Sequence, residues 1–392
     1  MLKSFALIFV LGLLFAGIFE KIKLPRIVGM LLIGIVIGPY CLGLLDDNTL
    51  LISSELRKMA LVIILIKAGL SLDLNDLKKV GRPAILLSFL PATFEIIGFI
   101  LIGTRIFNIS VIDAAIIGSI LGAVSPAVVV PKMVYLMDNH YGTKKAIPQL
   151  ILAGSSLDDV YVIVLFTSFV SIAQGGTVSI KSFIDIPISI VLGIIAGILF
   201  GILLVFIYQK IKMANTRKVI LLFGFSLLLM ALETMLEDIV PVSGLLGVMS
   251  CSMYIKAKGE YAPDIARSYG EVWNAFEIIL FVLVGAAVNI SYALNYGVKA
   301  IVAILLALIV RSIGTYVSLL GTKLNSKERL FVIISYLPKA TVQAAIGSVP
   351  LALGLGCGDL ALSIAVLSIL ITAPLGAFGI DISHKKLLSH DV

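Results

Sequence analysis

Apolar runs long enough to cross a membrane recur from one end of this chain to the other, separated by short connections that carry most of its charge. A helix needs about 17–25 such residues to span a hydrocarbon layer. Inside that layer every backbone amide and carbonyl must be satisfied within the protein, which leaves helices or a closed barrel. Runs of this length suit helices. Only 14% of the 392 residues are charged and 60% are hydrophobic, whereas soluble domains carry about 25% charged residues. The expected fold is therefore an all-α polytopic membrane protein of about 13 transmembrane helices. Four of the expected spans are 25–43, 57–72, 239–257 and 328–353. Residues 2–19 read as a retained first helix, because they lack the basic leader and small-residue cleavage site of a signal peptide. Cys41, Cys251 and Cys357 are too scattered to form a disulfide or metal framework.

The net charge of +7 does not imply nucleic acid as a partner, because the basic residues follow alternate connections instead of forming a patch. One side holds Lys21, Lys23 and Arg26, then Lys78, Lys79 and Arg82, then Lys132, Lys144 and Lys145, and so on to Lys385 and Lys386. The other side has only Lys3, Arg57, Lys58, Arg105, Lys181 and Lys299. The positive-inside rule places the rich side in the cytoplasm, with the N-terminus outside and the C-terminus inside. Lys67, Arg311 and Lys339 fall within spans. Lys67 is near a span end and is read as snorkelling. Glu233, Glu237, Asp238 and Glu277 also lie towards span ends and are read as solvated. His140, His384 and His390 fall in the cytoplasmic connections, where they either sense pH or are inert.

An offset of 216 residues aligns Gly69 with Gly285, Asp73 with Asn289, Glu95 with Arg311 and Ser125 with Thr341. It shifts the chain by seven spans, an odd number, so the second copy is inverted, a pattern common in secondary transporters. The fifth and twelfth spans are punctuated in a matched way, by the two prolines of Gly122-Ala-Val-Ser-Pro-Ala-Val-Val-Val-Pro131 and by Leu337-Pro-Lys-Ala-Thr-Val-Gln-Ala-Ala-Ile-Gly-Ser-Val-Pro350. Proline removes a donor and frees carbonyls at membrane depth, which is tolerated only where they are buried or line a cavity. Paired broken helices of this kind mark substrate sites, although a simple proline kink is the bland alternative.

Asp158 and Asp159 stand side by side in an otherwise apolar span. Each charge at the bilayer centre costs roughly 2.5–3.5 kcal/mol on insertion scales. A pair there points to a cation, a proton or both, against the alternative of a structural salt bridge. Neighbours on a helix differ by about 100° in direction, so the two carboxylates serve different partners. Glu95 and Arg311 read as a buried charge pair. Lys339 is placed to meet Asp158, either as a proton carrier or as a neutralising partner. Ser125 and Ser155 are candidate neutral ligands, with Pro126 and Thr341 marking the broken-helix site. No cofactor is expected beyond the transported ions.

These motifs (Ser155-Ser-Leu-Asp-Asp159, Ser125-Pro126, Glu95, Arg311 and Pro338-Lys-Ala-Thr-Val-Gln-Ala-Ala345) resemble the monovalent cation/proton antiporters of the NhaA/NapA-like superfamily, and most closely the NHA-type sodium/proton exchangers. The resemblance covers essentially the whole chain. It implies an NhaA-like fold with inverted repeats and two crossed broken helices, and a homodimer in the cell (inner) membrane. Residues 1–80 and 216–297 would form the dimerisation half, 81–180 and 298–392 the moving ion-transport core, and 181–215 a linker helix. It also implies exchange of Na⁺ or Li⁺ for H⁺ by an elevator-type motion. Asp159 would be the principal metal-ion carboxylate, and Asp158 would answer to a basic partner. Arg311 departs from the lysine of many electrogenic members, and arginine cannot act as a titrating carrier. K⁺/H⁺ antiport, sodium-coupled organic-anion symport and a channel are the competing transport readings. The enzyme alternative is an intramembrane aspartyl protease. Gly356-Cys-Gly-Asp359 fits half its signature, but the Tyr-Asp half is missing.

Overall fold

Helices account for nearly all of the computed structural model, which describes residues 1–71, 81–175, 180–236, 240 and 242–391. Asp73, Lys78, Lys79, Glu237 and Asp238 lie outside the described residues. The order is α1 (Leu2–Lys21), α2 (Arg26–Ile37), α3 (Asp47–Leu51), α4 (Ser53–Ser71), α5 (Arg82–Leu87), α6 (Leu90–Phe107), α7 (Val111–Gly122), α8 (Pro126–Asp138) and α9 (Ile147–Ala173). It continues with α10 (Ile180–Lys210), α11 (Asn215–Leu236), α12 (Gly244–Lys258), α13 (Ala262–Ala286), α14 (Ile290–Ser318), α15 (Ser326–Ser335), α16 (Thr341–Ile346), α17 (Val349–Ala352) and α18 (Gly358–Leu387). No strand occurs among the described residues, and the all-α expectation holds.

By length and composition, nine helices among the described residues can cross a membrane. Apolar run lengths in the sequence point to about 13, and the differences have local causes. The span expected at 25–43 is the 12-residue α2, ended by an extended Gly38. The one at 57–72 is α4, which carries Arg57, Lys58 and Lys67. The one at 239–257 is reduced to the 15 residues of α12. The one at 328–353 is broken into α15, α16 and α17. Lys67 is exposed, whereas Glu277 is buried and not solvated as expected.

The chain divides into two compact units. One comprises Met1–Ser54, Asp73–Gln174 and Leu280–Val392, so α1 and α2 belong with the helices that carry the candidate site. Within it α6 packs along α14, α7 along α6 and α9, and α18 along α14 and α15. The end of α13 lies so close to α2 that a Cβ on Gly34 would sit 2.2 Å from the Val282 carbonyl oxygen. A Cβ on Gly285 would likewise sit 2.2 Å from that of Leu31. The other unit comprises Glu55–Leu72 and Gly175–Ile279, built on α12 packed against α10 and α11. There Gly69 approaches Met249, as Gly285 approaches Leu31 in the first unit.

The site-bearing unit is closed at one end by the segment after α18. Leu388 is buried, and Gly142 N–H donates to the Ser389 carbonyl at 2.9 Å. Asp391 accepts from the Lys144 N–H (2.8 Å), the Ser389 hydroxyl (2.8 Å) and the Thr143 hydroxyl (3.3 Å). Its own N–H donates to the His140 carbonyl at 2.7 Å. Burial acts to raise the Asp391 pKa, but these donors together bring it below the ordinary carboxylate value. Tyr141 stands between the rings of His384 (5.0 Å) and His390 (4.8 Å). His384 is thus buried in the fold, not a loop residue as the sequence reading had it.

Candidate functional site

The two helix breaks are written locally in the sequence. Pro126 opens α8, cannot donate, and holds Ser125 extended at φ −86°, ψ 110°. On the other side α15 ends at Ser335, and Pro338 keeps the chain from re-forming a helix before Thr341. The breaks lie against each other, with Ser125 N–H donating to the Pro338 carbonyl at 2.8 Å. Thr372 of α18 accepts from the Lys339 N–H at 2.9 Å, and Gly376 leaves no room for a Cβ beside Pro338.

Breaking a helix at this depth leaves polar backbone groups that need partners. Nearly all of those at the end of α7 are met by side chains. Arg311 donates to the Gly122 carbonyl and, through Nε, to the Tyr336 carbonyl at 2.8 Å. Lys339 Nζ donates to the Leu121 carbonyl. The Gln343 amide donates to the carbonyls of Ile120 (3.1 Å), Leu121 (3.4 Å) and Ala123 (2.9 Å). The freed Val124 N–H donates to Asp158 Oδ2 at 2.8 Å.

The same bases neutralise the buried acids. Arg311 and Glu95 come together, Nη1 to Oε2 at 2.7 Å, both fully buried. Arg311 Nη2 also reaches Asp158 Oδ2 at 3.2 Å. Lys339 Nζ meets Glu95 at 2.8 Å, so its acid partner is Glu95 and not Asp158. Arg311 occupies the place expected for Lys339 because α14 runs along α6 and brings its guanidinium to both carboxylates.

Asp159 is different. It is 8% exposed, forms no ion pair among the described residues, and its Oδ1 is buried without a hydrogen-bond partner. Asp158 Oδ1, Ser125 Oγ, Thr341 Oγ1 and Gln343 Oε1 are also buried and unpartnered. Ser155, also buried, turns its hydroxyl to the Leu152 carbonyl of its own helix at 3.2 Å. Carboxylate and hydroxyl oxygens are hard donors suited to small alkali cations. With every group ionised, Glu95, Asp158 and Asp159 outnumber Arg311 and Lys339 by one negative charge. Gln343 and Tyr336 were not singled out from the sequence. Their signal is an amide and a phenol in an otherwise apolar, broken stretch.

A helical membrane protein whose two broken helices meet beside buried carboxylates and bases has the build of an ion-coupled transporter. The chain belongs to the family described as "Sodium/hydrogen exchanger, transmembrane", which it matches over residues 6–383. It is 36% identical to the mouse sodium/hydrogen exchanger 9B1 over 381 residues, covering 93% of this chain and 66% of that protein. Its identity to the human sodium/hydrogen exchanger 9B2 is 33% over 389 residues, covering 93% of this chain and 70% of that one. In fold it is similar to the sodium proton antiporter MjNhaP1 from Methanocaldococcus jannaschii, with a TM-score of 0.83 at 22% identity. That match covers 98% of this chain and 97% of MjNhaP1. The NHA-type resemblance and the antiporter fold expected from sequence are borne out, and the chain is an integral membrane protein.

Proposed function

We propose that this protein exchanges Na⁺ or Li⁺ for H⁺ across the membrane, and that Asp159 carries either the cation or the proton. The carrying observation is that, among the described residues, Asp159 forms no ion pair while Glu95 and Asp158 do. Glu95 and Asp158 have their charge met by Arg311 and Lys339, which leaves the excess negative charge of the cluster on Asp159. One monovalent cation or one proton neutralises the cluster equally. A neutral core is the form that crosses a low-dielectric layer at least cost, so each occupant travels and the empty site does not. Competition for one carboxylate then makes the exchange obligatory, one proton for one cation.

Ser125, Thr341 and Asp158 supply the further ligands in this reading, with Ser155 one turn before Asp158. The Glu95–Arg311 pair, with Lys339, holds the breaks of α7 and α15 together. Alternating access is by elevator-type movement of a core (81–180 and 298–392) against a dimerisation half (1–80 and 216–297), joined by a linker helix (181–215) in a homodimer. The N-terminus faces outside the cell (inner) membrane and the C-terminus the cytoplasm, as the distribution of Lys and Arg supports. The test is addition of Na⁺, Li⁺ or K⁺ to proteoliposomes holding a pH gradient. Cation-driven proton movement that disappears in Asp159→Asn is expected. Equal traces for both proteins would sink the proposal, a response to K⁺ alone would make it a K⁺/H⁺ antiporter, and cation uptake dependent on an organic anion would make it a symporter.

A further inference from the structure

Charge pairing explains Glu95, Asp158, Arg311 and Lys339 at the crossing, but one fully buried neutral side chain is not explained by it. Gln343 lies in the first turn of α16, two residues after Thr341. Its amide nitrogen faces the carbonyls of Ile120, Leu121 and Ala123 at the end of α7, two residues before Ser125. Three acceptors around one amide nitrogen fix which way the side chain points, because its oxygen would be repelled there. The other side chains that donate to carbonyls at the end of α7, Lys339 to Leu121 and Arg311 to Gly122, are both charged. A third cationic side chain would cancel the one excess negative charge of the cluster. A neutral amide ties the two broken helices together and leaves that charge unchanged.

We infer that Gln343 is the positioning residue that sets cation discrimination, by bracing the Ser125 segment against the Thr341 segment. The inference rests on the exchange function proposed above. Ser125 Oγ and Thr341 Oγ1 are buried and unpartnered, one on each segment. The amide strut between α16 and α7 holds the segments that carry them at a fixed separation. Neutral oxygens held at a fixed separation discriminate among Li⁺, Na⁺ and K⁺ by size, whereas loosely held ones adapt to each. Gln343 Oε1, buried and free of a hydrogen-bond partner, adds an oxygen on the same strut.

Two variants test this in proteoliposomes, with exchange measured against Na⁺, Li⁺ and K⁺ from pH 6 to 9. Gln343→Leu keeps the bulk and removes the donors. The KM for the preferred cation should rise about tenfold, the scale of one lost hydrogen bond, while the maximal rate falls less. The ratios of KM among the cations should move towards one. Gln343→Glu keeps the shape but can donate only when protonated, so its activity should survive at acid pH and fade as pH rises, ahead of wild type. Wild-type KM ratios in Gln343→Leu, or a wild-type pH profile in Gln343→Glu, would overturn the inference. So would a fall in maximal rate alone, which is what mere structural damage gives. If Gln343→Leu does not fold, the pH profile of Gln343→Glu decides. A wild type that moves no cation removes the exchange proposal and this inference with it, whereas an active wild type with unaltered variants removes this inference alone.

Discussion

Arg311 grips Glu95 and Asp158 with one guanidinium, although both acids lie far from it in sequence, at separations of 216 and 153 residues. It also donates to the carbonyls of Gly122 and Tyr336. Few single side chains hold as much of the crossing. Removing one partner from a buried charge group typically costs about 3–5 kcal/mol, because the remaining charges are left uncompensated. Arg311→Ala should therefore fail to fold or melt well below wild type in detergent. Arg311→Lys restores the charge but not the fork, and should lie between the two. A melting temperature for Arg311→Ala equal to wild type would contradict the assignment.

The adjacent aspartates should separate in experiment. Asp158 accepts from the Val124 N–H and from Arg311, so Asp158→Asn should lower thermal stability by about 1–3 kcal/mol as well as impair exchange. Asp159 Oδ1 has no hydrogen-bond partner among the described residues, and Asp159→Asn should fold with wild-type stability or better while abolishing exchange. Paired melting curves and flux traces settle both, and the reverse ranking of stabilities would refute it.

Charge balance in the core bears on electrical behaviour. On the proposed function, a cluster with one excess negative charge takes one cation in one direction and one proton in the other, each as a neutral body. Exchange rates with the membrane potential clamped by K⁺ and valinomycin should match those measured unclamped. A rate that rises with an imposed potential would require a second titrating group, with Lys339 the first to substitute.

The glycine seam between α2 and the end of α13 makes a prediction of a different kind. Gly34→Ala and Gly285→Ala each drive a methyl into a backbone carbonyl oxygen, where nothing flexible can yield. Overpacking of this sort costs about 1–3 kcal/mol. Gly17→Ala meets open space and serves as the control, and detergent melting curves of the three rank them.

At the far end of the core, the donors around Asp391 hold its folded pKa below the unfolded value. Its contribution is therefore complete above about pH 4, the unfolded value, and is lost as pH falls through the lower folded one. Asp391→Asn should raise hydrogen exchange at the Lys144 amide at neutral pH, to a degree unaltered between pH 6 and 8. An unchanged exchange rate at Lys144 would show that the segment is held without the carboxylate.

Much of this was legible in the chain. Pro126 and Pro338 mark the breaks because proline acts locally. The 216-residue offset aligned Glu95 with Arg311, and the two do meet. The partner of Lys339 was not legible. Several acids and bases converge on one point, and which pair forms depends on the approach of α14 along α6, a matter of packing. Gln343 was passed over for a related reason. Its acceptors are backbone carbonyls, which have no sequence signature at all. Glu277 and His384 show the same limit, since each lies towards a span end in the sequence and is buried in the structure.

The three histidines of the chain end up in one neighbourhood, His384 and His390 flanking Tyr141 while the His140 carbonyl receives Asp391. The crossing of the broken helices contains none. Imidazole chemistry and carboxylate chemistry are thereby spatially segregated within one protein. A histidine-selective acylating reagent, which meets His140 and His390 at the surface, becomes a reporter of the closing segment, and any change it causes in turnover measures mechanical communication along α8, α9 and α18, with the carboxylates of the crossing chemically untouched.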